Sequence, residues 1–325
     1  MGGHELIVGF DRQGERRSEN VICAYNAATL EQIAAQPCIP KTQHLWESSC
    51  GSRYLVAGAY WKMQFLYVLS LPNLELIVEP NAKEILQPGQ RIGDLRVAGD
   101  FAVMRFNHPN QLRVYSLPEF QLFGRDDNFE GGLASAQGDL LVTVHSSEEH
   151  YDNPLRFYRI PSLELIGEKD DWSQEAQFVF TVGQSKNQIV VTSLNTVRAP
   201  RKYLRIYGKK SLKPTHRLIG LPRNTRGSPI VVGNTLYSIE STEESGRLYR
   251  EPQIVVVAQG LSTLEQRAES EPNSQFEPAW VDLIAVSQTT LLARVEENKV
   301  AVYSPQDLSY RGILEIDRAQ LIQTD

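Results

Sequence analysis

An all-β fold built from seven repeats is what this 325-residue sequence predicts, and two observations carry the prediction. A strand–turn–strand phrase recurs seven times, and it recurs at a period that four short strands would fill. The copies are VICAYNAATLEQI from Val21, FLYVLSLPNLELI from Phe65, QLRVYSLPEFQLF from Gln111 and PLRFYRIPSLELI from Pro154. YLRIYGKKSLKPTHRLI from Tyr203, QIVVVAQGLSTLEQRA from Gln253 and KVAVYSPQDLSYRGIL from Lys299 complete the set. Self-similarity at a fixed period decides architecture before any local assignment is made.

The apolar residue that opens the second strand of each phrase serves as a marker: Leu30, Leu74, Phe120, Leu163, Leu212, Leu264 and Leu308. Successive gaps are 44, 46, 43, 49, 52 and 44 residues, the length of a four-stranded propeller blade. The residues after Leu308 and those up to Leu30 together amount to 47, one more period. Seven periods therefore fit only if the two ends meet in space. An open solenoid would carry atypical capping repeats, and the terminal phrases here are ordinary. The expected architecture is a seven-bladed β-propeller of four-stranded antiparallel blades in a single domain, 1–325. The blades fall near 1–35 with 318–325, then 42–80, 91–124, 131–167, 175–220, 228–268 and 278–317.

Blade 3 can be read strand by strand. GDLRVAG (93–99) is innermost, FAVMRFN (101–107) second, QLRVYS third and FQLFG fourth. Val, Leu, Phe and Tyr fill these runs, and Gly, Asp, Asn and Pro punctuate them. Blade 1 begins directly with ELIVGF (5–10) and lacks one strand. The unassigned tail AQLIQ (319–323) is expected to supply it, so the C-terminal strand completes the N-terminal blade.

Composition bounds the function. No apolar run approaches the ~20 residues of a spanning helix, and no secretory signal opens the sequence. Cys23, Cys38 and Cys50 are odd in number, without C-x-x-C spacing. They read as small buried or half-buried thiols in a reducing, cytoplasmic setting. A net charge of −6 lacks the basic footprint of general nucleic-acid binding.

Strand alternation sorts the loops onto two faces. Third-to-fourth turns share one face and are alike: SLPN at Ser70, SLPE at Ser116 and RIPS at Arg159. Proline presets φ for a tight turn there, and Leu71, Leu117 and Ile160 are expected to pack beneath. Opposite them lie loops that differ from blade to blade, where recognition usually resides. Two of these, SLNTVRAPRKY (193–203) and GLPRNTRGS (220–228), flank blade 5 and carry Arg198, Arg201, Lys202, Arg223 and Arg226. Acidic loops adjoin them: Asp126, Asp127, Glu130, Glu148, Glu149, Asp170 and Asp171 around blade 4, and Glu240, Glu243 and Glu244 in blade 6. A basic patch between acidic sectors suits an acidic peptide, a phosphate or a polarised protein surface. Trp61, Tyr151, Trp172 and Tyr249 fall in the same loops, as interface anchors or sugar platforms.

The densest cluster of ligand-type side chains is His145, Glu149, His150 and Asp152 in HSSEEHYDN. Imidazole and carboxylate suit zinc or a harder divalent ion. The H-x4-H spacing lies in a loop and does not put both rings on one face, so no metal is assigned. Neither a G-x-S-x-G elbow nor H-E-x-x-H is present. YGKKS at Tyr207 lacks the first glycine of a phosphate loop, since Tyr203 stands there.

The repeated V-Y-S-L-P-x-L-E-L-I resembles the strand–turn–strand core of seven-bladed propellers of the WD40-like, YVTN-type and quinoprotein-like groups. It departs from true WD40 repeats: Val114-Tyr115-Ser116, Phe157-Tyr158-Arg159 and Val302-Tyr303-Ser304 stand where the W-D dipeptide would. No pattern for docking a quinone accompanies the resemblance, and no cofactor is expected. Propellers host many unrelated activities, so the resemblance implies the fold more than the function. The reading favours a monomeric, non-catalytic scaffold for a protein or peptide partner, without nucleic acid or membrane. The alternative is small-molecule or carbohydrate binding, in hydrolase or lyase style, at the mouth of the central channel.

Overall fold

The computed structural model describes residues 5–12, 20–37, 44–45, 47–48, 52–58, 66–78, 90–145, 154–169, 178–184, 187–195, 201–216, 219–221, 225–241, 254–261, 265–271, 282–296 and 298–323. Every regular element among them is a strand, and no helix is long and apolar enough to cross a membrane. The chain divides into two compact units, one of 1–173 with 322–325 and the other of 174–321.

Four sheets belong to the first unit. Blade 1 holds β1 (Glu5–Arg12), β2 (Asn20–Asn26) and β3 (Gln32–Gln36). Blade 2 holds β4 (His44–Leu45), β6 (Tyr54–Gly58), β7 (Leu66–Ser70) and β8 (Leu76–Val78), with β5 (Glu47–Ser48) between β4 and β6 in sequence. In blade 3 come β9 (Arg91–Ala98), β10 (Phe101–Asn107), β11 (Gln111–Ser116) and β12 (Leu122–Asp126). β13 (Gly132–Gln137), β14 (Leu140–Val144), β15 (Leu155–Arg159) and β16 (Glu164–Lys169) form blade 4.

The second unit has three sheets. β17 (Phe178–Gln184), β18 (Gln188–Asn195), β19 (Arg201–Gly208) and β20 (Ile219–Gly220) make blade 5. β21 (Thr225–Val232), β22 (Thr235–Ser241), β23 (Ile254–Gly260) and β24 (Gln266–Glu269) make blade 6. β25 (Asp282–Val286), β26 (Leu291–Glu296), β27 (Lys299–Tyr303) and β28 (Tyr310–Leu314) make blade 7. The last strand, β29 (Asp317–Gln323), joins blade 1 in the order β29-β1-β2-β3. It supplies the missing strand as the tail predicts. Ile322 is buried there in one cluster with Leu6, Val8 and Phe10.

The marker residues among those described hold a backbone state that the sequence did not announce. Leu30, Leu74, Phe120, Leu163, Leu212 and Leu308 all have φ between 51° and 61°. They end the turn rather than open the fourth strand. Each N–H returns to the carbonyl four residues back, as in Leu74 N to Ser70 O at 2.8 Å and Leu308 N to Ser304 O at 2.8 Å. A left-handed leucine costs roughly 1–2 kcal/mol in steric strain, and burial of the side chain offsets that cost: Leu74 and Leu308 are buried. Leu117 and Ile160 are buried as expected, and the Leu71-Pro72, Leu117-Pro118 and Ile160-Pro161 bonds are cis.

Two bulges repeat from blade to blade. One lies in the innermost strand, between Leu133 and Ser135, Val179 and Thr181, and Leu283 and Ala285. The other lies in the outermost strand, where one extra residue is squeezed against the third: Ile33, Ile77, Phe123 and Ile166 in blades 1 to 4. Arg267 and Arg311 take that place in blades 6 and 7. The innermost strand of blade 2 is divided, with β4 pairing its own sheet and β5 running parallel to β9 of blade 3.

Candidate functional site

Antiparallel order brings the ends of second strands and the starts of third and first strands to the side of the variable loops. In the second unit this edge gathers Ser193 near the end of β18, Lys202 at the start of β19, Thr225 at the start of β21, and Asp282 at the start of β25. Lys202 Nζ donates to the Thr225 carbonyl at 3.4 Å. Ser228 N donates to Asp282 Oδ1 at 2.9 Å. Blades 5, 6 and 7 are thus linked by side chains at one edge. Burial pushes the Asp282 carboxyl above its ordinary range, while the Ser228 N–H and the positive charges of Arg294 and Lys202 pull it back.

Two hydroxyls at this edge stand out. Ser193 Oγ and Thr225 Oγ1 are buried and make no hydrogen bond. A buried hydroxyl without a partner costs on the order of 1–3 kcal/mol. Neither carries a signal in the sequence, because Ser and Thr inside strand runs read as ordinary strand residues. Asp282 carried a faint signal, as a carboxylate at the opening of an apolar strand.

Of the five predicted basic residues, Lys202 alone has a described side chain. Arg201 pairs with Asn195 through the backbone at the start of β19, and Arg226 pairs with Ile239 beside Thr225. Arg198 and Arg223 lie outside the described residues, in the segments that lead into these two strand starts. Trp61, Tyr151, Trp172 and Tyr249 also lie outside them, as do Glu149, His150 and Asp152.

His145 is described, and it is an interior group. Its backbone N–H donates to the Pro154 carbonyl at 3.0 Å. Arg156 donates to Nδ1 at 3.2 Å, and Nε2 lies 3.0 Å from Thr143 Oγ1. Thr143 Oγ1 in turn donates to the Arg156 carbonyl at 3.4 Å, so Nε2–H is the donor to Thr143 and the ring is neutral. Phe129 meets the ring edge-on at 5.3 Å. Burial, with Arg156 second, drives the imidazole pKa down to about 4. Both ring nitrogens are engaged, and no group of three metal-type ligands occurs among the described residues. Cys23 is buried and free, and burial pushes its thiol up.

Solved structures share this architecture over nearly the whole chain. Kluyveromyces lactis Hsv2 superposes with a TM-score of 0.59 at 12% identity, covering 92% of this chain and 94% of that one. The fold is a seven-bladed β-propeller. A chain of a mitotic checkpoint complex gives 0.52 at 10% identity, over 84% of this chain and 80% of its own. The dihydro-heme d1 dehydrogenase NirN, in complex with DHE, gives 0.51 at 13% identity over 94% of this chain and 63% of its own. No family model and no curated protein matches the sequence. At such identities the likeness concerns the fold alone.

Proposed function

We propose that this propeller is a cytoplasmic interaction scaffold that binds an acidic or phosphorylated segment of a protein partner on its variable face, between blades 5 and 6. The observation that carries the reading is the Lys202–Thr225 contact. It ties together the strand starts into which 196–200 and 222–224 lead, the segments that carry Arg198 and Arg223. Arg201 and Arg226 occupy the same two strand starts. Arginine is the residue type suited to bidentate capture of carboxylate or phosphate, and the sequence supplies it on both sides of this contact. One propeller of similar fold belongs to a mitotic checkpoint complex, which is consistent with a role in assembly. The test is affinity capture with the full chain and with Arg198→Glu/Arg201→Glu/Arg226→Glu. Partner recovery should fall sharply in the variant, and equal recovery refutes the reading.

A second reading rests on the buried, unpartnered Ser193 and Thr225 hydroxyls, on strands that end or start at the same edge as Lys202 and Asp282. They suit a small polar ligand seated at the same edge, and one similar propeller, NirN, is an enzyme. A melting-temperature rise with sugars or phosphorylated metabolites, abolished by Thr225→Val, supports this second reading over the first.

A further inference from the structure

Blade 3 breaks the repeat at one ladder position. In blades 4, 5 and 7 the second-strand residue paired just beyond the inner bulge is Val142, Thr192 or Leu292, each buried. Blade 3 has the same bulge with Gly93 as the extra residue, and the pair just beyond it is Asp94 and Arg105. Charge where the repeat buries Val, Thr or Leu is a local departure of the kind found at functional sites. Bulges re-aim side chains beside such sites.

Contacts join the group that results. Arg96 Nη1 and the Leu95 N–H both donate to Asp94 Oδ1 at 2.8 Å. Asp94 feels the positive charge of Arg96 and of Arg105, and β5 sets Glu47 in register with Arg96. Arg105 stands outside this pairing. It is half-buried, forms no hydrogen bond or ion pair among the described residues, and its Nε is buried. Asn107, two residues further along the same face, is in the same condition, with Oδ1 buried and without a partner. Its amide fills the space that glycine leaves at the bulge: a Cβ on Gly93 would lie 2.5 Å from Nδ2 and 2.7 Å from Oδ1. Val103 on this face, and Leu112 opposite Arg105, pack with Leu133 of blade 4. Asn107 ends β10 at the variable-loop edge. Buried polar atoms almost always have partners, so two such exceptions side by side call for one.

We propose that Arg105 and Asn107 bind a small free oxyanion, a carboxylate or a phosphate, at the variable-loop edge of blade 3. A guanidinium has donors only and a permanent charge, so its missing partner accepts hydrogen bonds and is negative. Nε and a terminal nitrogen form the fork that holds two oxygens of one anion. The Asn107 amide adds a neutral N–H donor once it turns about its last bond. Same-face residues two apart stand ~7 Å from one another along a strand, a span that one small anion between the two side chains can bridge. Arg96 is already held by Asp94 and serves as a neighbouring charge. The site lies in the first unit and shares no residue with the basic loops of blades 5 and 6. Its failure leaves both readings given for that edge untouched.

The test titrates the full chain with sodium phosphate and with sodium succinate, with sodium chloride at matched ionic strength as control. Calorimetry should show saturable binding of at least one, with a rise in melting temperature. The tighter of the two assigns the ligand as phosphate-bearing or carboxylate-bearing. Arg105→Leu, which copies Leu292 of blade 7, should weaken binding by more than about tenfold. It should not lower the melting temperature of the ligand-free chain, because it removes a buried donor that has no partner. Arg105→Lys keeps the charge, loses the fork and should also weaken binding by more than about tenfold. It reads the site even if the leucine variant fails to fold. Arg198→Glu/Arg201→Glu/Arg226→Glu should leave binding unchanged. No saturable response beyond chloride overturns the proposal, as does equal affinity in Arg105→Leu or Arg105→Lys. So does a lower ligand-free melting temperature in Arg105→Leu, which shows an arginine already satisfied, or loss of binding in the triple variant, which places the anion on blades 5 and 6.

Discussion

The backbone N–H of Ser228 donates to the Asp282 carboxylate across 2.9 Å, joining the innermost strand of blade 6 to that of blade 7. Ser228 lies in the irregular stretch of β21 between Arg226 and Ile230, so its N–H is freed from the ladder and finds a side chain in the next blade. Asp282→Ala leaves that donor without its acceptor and should cost about 1–3 kcal/mol in denaturant unfolding. Asp282→Asn keeps an acceptor and removes a charge that burial opposes. It should stay within about 1 kcal/mol of wild type at neutral pH. The Asp282 pKa is raised in the folded state, so protonation favours folding here. Its contribution to stability grows as pH falls through that raised value, and the Asn variant should lack this gain.

His145 predicts the opposite dependence. Its pKa falls from 6.5 to about 4 on folding, first through burial and then through Arg156. A depressed histidine contributes stability that is present above pH 6.5 and lost as pH falls toward 4. The full swing is about 3 kcal/mol. His145→Gln should flatten this acid slope, as measured by urea unfolding at pH 7.5 and 4.5. An unchanged slope means that another group carries it.

Gly124 tests the contact between blades 3 and 4. A Cβ there would sit 2.3 Å from the Pro161 backbone carbonyl and 3.1 Å from Leu163 Cγ. Backbone cannot yield as a long side chain can, so Gly124→Ala should cost more than about 2 kcal/mol. Gly132 has open space at its Cβ position. Gly132→Ala should stay within about 0.5 kcal/mol.

The C-terminal strand should behave as structure shared by the whole first blade. Ile322 is fully buried and Ala319 nearly so. Ile322→Ala should cost about 2–5 kcal/mol, and removal of 319–325 should lower the melting temperature of the entire cooperative transition. A truncated chain that melts with wild type would show that blade 1 stands without β29.

Much of this molecule is legible in one dimension. The phrase around Ser70, Ser116 and Arg159 repeats because each turn meets the same geometry, and the 47-residue remainder places β29 beside β1. The candidate site was legible only in part. Charge alone points to Lys202, and its contact with Thr225 joins the starts of β19 and β21. Ser193 and Thr225 carry no such signal, and Asp282 only a faint one, because their surroundings come from other strands. His145 was grouped with the charged loop that follows it, and it belongs instead to the interior with Thr143 and Arg156.

The sequence by itself determined the repeat, the strand count and the shared first blade, since period and alternation are local properties of the chain. Tertiary structure decided which residues the repeat buries. A leucine in a left-handed turn such as Leu74 is held by packing against its surroundings. An outer bulge turns Ile77, Phe123 and Ile166 outward while Val78 and Gly124 meet the next blade. The physical reason is that burial depends on what stands opposite. Within each unit, what stands opposite is another repeat.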